Sequence, residues 1–343
     1  MRAVRYSTVG GPLELVDVPE PICPADGAVV RGEATGICRS DWHAWRGHDP
    51  VPLPMIPGHE FAGTVAAVGP EVMGFVVGDR VTVPFVNGCG HCAWCLAGDA
   101  QVCPEQTQPG FTHPGAYAEL VQVRAADFNL VRLPDSVDAV TAASLGCRFA
   151  TSYHALTRQS RLSAGQWLAV YGCGGVGASA ILIAKALGAQ VVAIDPSPAA
   201  RERAATLGAD YVLADPDADA ILELTGGGAH VSIDALGSSE TAAASVRTLR
   251  RRGRHVQVGL MLGDHADAPL QWGPVISKEL EIVGSHGMAA ADYPELLALV
   301  ADGRLDPRQL IGRVVSLDQA GAELAAMDSL VAPTAGLVVA TVL

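Results

Sequence analysis

Apolar and polar positions alternate in short runs through the first 150 residues. Residues 28–33, 61–68 and 80–84 are such runs, rich in Val and Gly, and turn signals such as Gly10-Gly11-Pro12 and Gly78-Asp79 separate them. A period of two broken by turns predicts a mostly β region. The pattern changes at Ser163-Ala164-Gly165. Residues 166–171 read as a buried strand, 175–187 as an apolar helix, 191–195 as a strand and 199–207 as a helix. Strands are expected again at 211–213, 230–235, 255–259 and 280–283, with helices at 218–224 and 241–250 between them. Alternating strands and helices predict a parallel, doubly wound sheet. A helix over 293–301 follows, then short strands at 314–315 and 336–343. That tail reads like the first region. We therefore expect an α/β protein with a discontinuous first domain, 1–150 and 286–343, around an inserted domain at 151–285.

The chain has 343 residues, about two domains' worth. Its 49 % hydrophobic content suffices for substantial cores. No apolar run is long enough to cross a bilayer, so no membrane partner is expected. The net charge of −13 argues against nucleic-acid binding. One basic run stands out: Arg247, Arg250, Arg251, Arg252 and Arg254. It reads first as a solvated helix end, where cations suit the dipole, and second as a ligand site.

Cys89, Cys92, Cys95 and Cys103 have the spacing C-x2-C-x2-C-x7-C. Four thiolates on one short loop can converge on a tetrahedral zinc. The alternative is a pair of disulfides. The start of the chain, Met1-Arg2-Ala3-Val4-Arg5, has no apolar leader. A cytoplasmic location, where thiols stay reduced, is therefore expected, and the zinc reading is preferred.

Gly172-Cys173-Gly174-Gly175-Val176-Gly177 is a G-x-G-x-x-G element. It follows an expected strand and opens an expected helix, the context in which the motif cradles a pyrophosphate. Asp195 ends the next strand. A carboxylate there accepts from a ribose 2′-hydroxyl and repels a 2′-phosphate, which favours NAD. Arg201 and Arg203 lie further on and read as solvated.

Cys38, His59 and Cys147 come from three separate segments. Each alone reads as an inert core residue. Together they offer two thiolates and an imidazole, which leave a fourth position open at a zinc.

With these motifs in order, the chain resembles the zinc-dependent alcohol dehydrogenases of the medium-chain dehydrogenase/reductase family. The likeness rests on Gly58-His59-Glu60 with Gly63, on Cys38-Arg39-Ser40-Asp41 with His43, on the four-cysteine loop and on the 172–177 element. It implies a GroES-like catalytic domain plus a Rossmann domain, with the active site in the cleft between them. It implies two zincs per chain and NAD. Cys38, His59 and Cys147 match the catalytic-zinc ligands, with Glu60 beside or on the metal and Asp41 orienting the histidine. Ser40 and His43 match the proton relay. Arg39 matches a pyrophosphate contact, and Leu260 joins Gly172, Gly174, Gly175, Val176, Gly177 and Asp195 in the cofactor set. Cys89, Cys92, Cys95 and Cys103 match the structural zinc. Phe85 matches a substrate-pocket aromatic, and Trp42, Trp45, His48, Asp49, Trp272 and Met288 are further candidates. Arg148 is charged where a small residue is common; it reads either as the partner of Glu60 or Asp41, or as a cofactor or substrate contact. The implied reaction is reversible oxidation of a primary or secondary alcohol to an aldehyde or ketone, by a homotetramer or dimer.

Overall fold

In the computed structural model, which describes residues 1–328 and 336–342, the alternating stretches become strands. They are β1 (Arg2–Arg5), β2 (Glu14–Asp17), β3 (Ala28–Ile37), β4 (Phe61–Val68), β5 (Arg80–Thr82), β6 (Leu120–Val123) and β7 (Val131–Arg132). The middle of the chain supplies β8 (Trp167–Tyr171), β9 (Gln190–Ile194), β10 (Tyr211–Leu213), β11 (Ala229–Asp234), β12 (Leu249–Gln257) and β13 (Glu281–Gly284). The tail adds β14 (Ile311–Ser316) and β15 (Leu337–Thr341). Two units result, Met1–Ala150 with Gly287–Leu343, and Thr151–His286.

In the first unit, β3 is the spine. It pairs antiparallel with β4, β6 and β15, and the full sheet runs β14-β15-β3-β4-β5-β7. The register sets Val338 opposite Ile37. The tail strand thus completes the sheet that the first residues begin. Eight of the ten residues of β3 are buried, because neighbours cover both faces. Phe61, Val65, Val81 and Val121 fill one core, and Tyr6, Met55, Tyr117 and Leu324 another. Burying each such side chain contributes about 1.5–3 kcal/mol.

The second unit is a six-stranded parallel sheet in the order β10-β9-β8-β11-β12-β13. Strand order reverses between β8 and β11, which makes the carboxyl ends of these strands the ligand crevice of a doubly wound sheet.

The structure corrects several expectations. Residues 139–159 are largely helical, with two wide five-residue turns at Leu145–Phe149 and Ala155–Gln159. Such turns are rare and favour functional sites, and the first holds Cys147. The tail also holds a helix, Leu317–Ala325, opened by a capping box of Ser316 and Gln319. The helix expected at 241–250 is Ser239–Arg247, and β12 begins at Leu249 rather than 255. A box of Ser238 and Thr241 starts that helix early. The basic run is therefore mostly strand, not a helix end. Leu343, at the end of the expected last strand, lies outside the described residues.

Candidate active site

Three chain breaks in regular structure bring the ligand-type residues together. Cys38 lies at the junction of β3 and the helix Arg39–Trp45, His59 precedes β4, and Cys147 sits in the wide Leu145–Phe149 turn. One ligand atom from each lies within 4.8 Å of the others. His59 is almost wholly buried. Its Nδ1 lies 2.9 Å from Asp41 Oδ1, which also accepts the Gly58 amide at 2.9 Å. An ionised Asp41 accepts only, so Nδ1 carries the ring proton and Nε2 is left with its lone pair. That Nε2 is buried with no hydrogen-bond partner among the described residues. A buried acceptor without a donor is costly, and a cation between it and two sulfurs removes the cost. The Cys147 thiol, donating to Cys38, holds the Cys38 pKa well below its ordinary value. Burial works against a charged His59, while Asp41 and Cys38 favour positive charge at the ring, the field a bound cation would also meet. The donor set fits zinc.

Glu60 does not join these three atoms. Its Oε1 accepts the Cys147 amide at 3.0 Å and the Arg148 amide and Nε at 3.2 Å each, and its Oε2 pairs with Arg148 Nη2. Two glycines make room for it. A Cβ at Gly36 would stand 2.3 Å from Glu60 Oε2, and one at Gly146 would stand 2.8 Å from the Glu60 Cα. The carboxylate is thus turned onto the guanidinium, and Asp41 is not the partner of Arg148.

Two aromatic edges flank His59. Phe85 lies 5.8 Å away at 76°, and Phe111 lies 5.3 Å away at 75°. Phe111 escaped the sequence reading, since neither spacing nor motif marks it. Ser40 and His43 stand one turn apart on the helix Arg39–Trp45. His43 Nδ1 lies 3.1 Å from Nδ1 of exposed His48. Arg39 lies over Trp42 and donates to the Met327 carbonyl at 2.8 Å. Trp45 is a core residue and not a pocket wall, with its Nε1 donating to Gly11 O.

The four loop cysteines also converge within 4.8 Å. Sulfur separations are 3.9 Å for Cys89–Cys95 and 3.7 Å for Cys92–Cys103. Zinc–sulfur bonds of about 2.3 Å give tetrahedral edges of about 3.8 Å, whereas a disulfide needs about 2 Å. All four are free thiols. Backbone amides of Cys89, Cys92 and Cys95 point at neighbouring sulfurs at 3.4 Å. The Cys95 amide brings the Cys92 pKa down to about 7. Such amides lower the Cys89 and Cys92 pKa values, whereas burial raises that of Cys95 to about 12 and also raises that of Cys103.

In the second unit the 172–177 loop leaves β8 at its carboxyl end. Gly172 has φ of 88°, and a Cβ at Gly177 would lie 1.8 Å from the Gly172 oxygen. Only glycine permits that turn and that approach of helix to strand. Asp195 accepts the Cys173 amide at 2.8 Å through Oδ2 and the Ser197 amide at 2.8 Å through Oδ1. It thereby ties the 172–177 loop to the end of β9. Arg201 is not simply solvated; it donates to the carbonyls of Asp195 and Pro196 at 2.7 and 2.8 Å. Leu260 is half exposed just beyond β12, its backbone against Gly237. Trp272 is exposed, and Met288 is buried.

Residues 24–135 match the alcohol dehydrogenase GroES-like domain, and residues 175–302 match the zinc-binding dehydrogenase domain. An alcohol dehydrogenase of Geobacillus stearothermophilus is 35 % identical over 89 % of this chain and 90 % of its own length. The chain belongs to the zinc-type medium-chain alcohol dehydrogenases. An NAD-dependent alcohol dehydrogenase of Sulfurisphaera tokodaii is 34 % identical over 93 % of this chain and 94 % of its own. The solved alcohol dehydrogenase TADH from Thermus sp. ATN1 superposes with a TM-score of 0.91 at 31 % identity, covering all of both chains.

In this zinc-type alcohol dehydrogenase, then, seven sulfur and nitrogen donors fall into two groups of different character. The four-cysteine group is complete by itself, as a structural zinc requires. The group of Cys38, His59 and Cys147 offers three donors, one fewer than a tetrahedral zinc takes.

Proposed function

We propose that the chain oxidises primary or secondary alcohols to aldehydes or ketones, reversibly, with zinc at Cys38, His59 and Cys147 and with NAD on the 172–177 loop. Bound zinc supplies a Lewis acid for the substrate oxygen, and bound NAD accepts the hydride. The chain's own residues arrange the rest. Asp41 fixes the His59 tautomer so that Nε2 faces the metal position. Phe85 and Phe111 wall the ring and keep water from it. Ser40 takes the substrate hydroxyl proton while releasing its own hydroxyl proton towards His43, which passes one to exposed His48 and so to solvent. Arg39 and Leu260 contact the cofactor. Gly172, Gly174, Gly175, Val176 and Gly177 present amides to its pyrophosphate. Asp195 holds the adenosine ribose and disfavours NADP. Cys89, Cys92, Cys95 and Cys103 hold the structural zinc, and Glu60 stays paired with Arg148.

The unpartnered Nε2 of His59 beside two sulfurs carries this reading. The test is NADH formation across a panel of alcohols, with the native, chelator-stripped and zinc-restored protein. Turnover on the native and restored forms is expected. No turnover on any alcohol or carbonyl would overturn the reading. Cys38→Ala is expected to abolish turnover while NADH still binds.

We further propose a cytoplasmic homotetramer, with a dimer as the alternative. Eight free thiols suit a reducing compartment. Exposed Trp94, Leu96 and Val102 on the cysteine lobe suit burial between copies. Light scattering on the eluting protein gives the copy number.

A further inference from the structure

The arginines near β12 are placed by a break in the sheet. Ala229 pairs with Leu249, but Val231 pairs with Arg254. His230 alone therefore faces residues 250–253, which bulge from the ladder, and Arg252 takes a left-handed φ of 61°. Bulges re-aim side chains, and this one displays Arg250, Arg251 and Arg252 around a polar cavity of about 430 Å³. His230, Arg161, Arg254 and Glu281 are among its other lining residues. The sheet is parallel, so this cavity lies at the amino ends of its strands. The 172–177 loop and Asp195 lie at the carboxyl ends, so the cavity is separate from the cofactor site.

Donors outnumber acceptors there. Glu281, the cavity's acid, already pairs with Arg254 and lies 3.6 Å from Arg161. Arg251 donates to the Ser277 carbonyl at 3.0 Å, and exposed Glu279 lies 3.9 Å from Arg252. Arg250 has no acidic partner among the described residues; its Nη1 faces His230 Nε2 at 2.6 Å. His230 Nδ1 accepts the Trp167 amide at 3.0 Å, so the neutral ring carries its proton on Nε2. Two donors thus face each other. Arg254 is only 7 % exposed, and its buried Nε has no partner among the described residues.

We propose that this cavity binds a phosphate group, as free phosphate or as the end of a small phosphomonoester. Guanidinium forks match tetrahedral oxyanions. A phosphate offers acceptors to Arg250, to His230 Nε2–H and to the remaining arginines together. A carboxylate, with two oxygens, leaves donors unmet.

The test uses zinc-loaded enzyme saturated with NADH, which keeps phosphate off the cofactor loop, in phosphate-free buffer. Calorimetric titration with inorganic phosphate, and separately with glycerol phosphate, is expected to show one site per chain. Tighter binding of the ester marks a phosphomonoester as the ligand, and tighter binding of inorganic phosphate marks the free anion. Either result supports the site. The double variant Arg250→Ala/Arg251→Ala is expected to bind at least about tenfold more weakly, as loss of charge-assisted hydrogen bonds implies. Arg304→Ala, which removes a cation paired with Asp302 in the other unit, is expected to bind as the parent does. If the double variant fails to fold, His230→Gln is expected to weaken binding severalfold. Absence of saturable binding, parental affinity in the cavity variants, or equal weakening by Arg304→Ala would overturn the proposal.

Discussion

Glu60 and Arg148 form a buried pair against the Cys147 backbone, with the Glu60 side chain fully inaccessible and that of Arg148 only 9 % exposed. Burial pushes the Glu60 carboxyl up, and Arg148 pulls it back. Removing one partner of a buried pair strands the other charge, at a cost of about 3–5 kcal/mol. Arg148→Met is therefore expected to lower unfolding stability by about that amount, and adding Glu60→Gln to restore part of it. Urea unfolding of the single and double variants measures both. A single variant within about 1 kcal/mol of the parent would refute the account.

Asp41 holds the ring of His59, one of the three residues proposed to bind the catalytic zinc. Asp41→Asn keeps the shape but loses the charge that sets the ring tautomer. Zinc affinity at the catalytic position is expected to fall about 10- to 100-fold. Competition with a chromogenic chelator reports it without reference to turnover, and unchanged affinity would rule out the orienting role.

The lobe zinc is expected to be structural. Cys103→Ser should reduce metal content from two zincs per chain to about one by elemental analysis, and lower the melting temperature. A variant that retains both metals would show that the four sulfurs do not act together.

Asp195 is expected to set cofactor choice. Asp195→Ala removes the carboxylate that repels a 2′-phosphate, so the ratio of kcat/KM for NAD over NADP should fall at least tenfold. The same change frees the Cys173 and Ser197 amides. Some loss with NAD itself is expected, and an unaltered ratio would refute the assignment.

His255 supplies a pH test. It is buried between β11 and the helix Ser239–Arg247. Its Nδ1 lies 2.9 Å from Ser245 Oγ, and its Nε2 lies 3.1 Å from Gln257 Oε1. Burial lowers its pKa below the ordinary 6.5. Above pH 6.5 neither state holds the extra proton, and the stabilisation is complete. As pH falls below that value the unfolded chain takes up a proton that the folded one refuses, so stability declines by up to about 1.4 kcal/mol per pH unit. His255→Gln should flatten the stability profile between about pH 6.5 and 5 relative to the parent. Parallel profiles would show that His255 does not contribute.

The cysteine spacing, the glycine loop between strand and helix, and the alternation in the middle of the chain were legible because each is local. A C-x2-C pair or a strand–turn–helix signature constrains only its own neighbourhood, and its residue types follow from that local geometry. Contacts distant in sequence were not legible. Arg148 could have paired with Asp41 or Glu60, and the choice came from Gly36 and Gly146 leaving space on one side. Phe111 reaches His59 from a loop with no motif of its own. The arginine run looked like a helix end because composition does not record strand register. The capping box at Ser238 and the mismatch of His230 against four residues put it in a sheet instead. Sequence alone determined the chemistry available and the alternating plan of the inserted region. The tertiary structure decided which buried charge meets which, because side chains far apart in the chain become neighbours only when strands choose their partners.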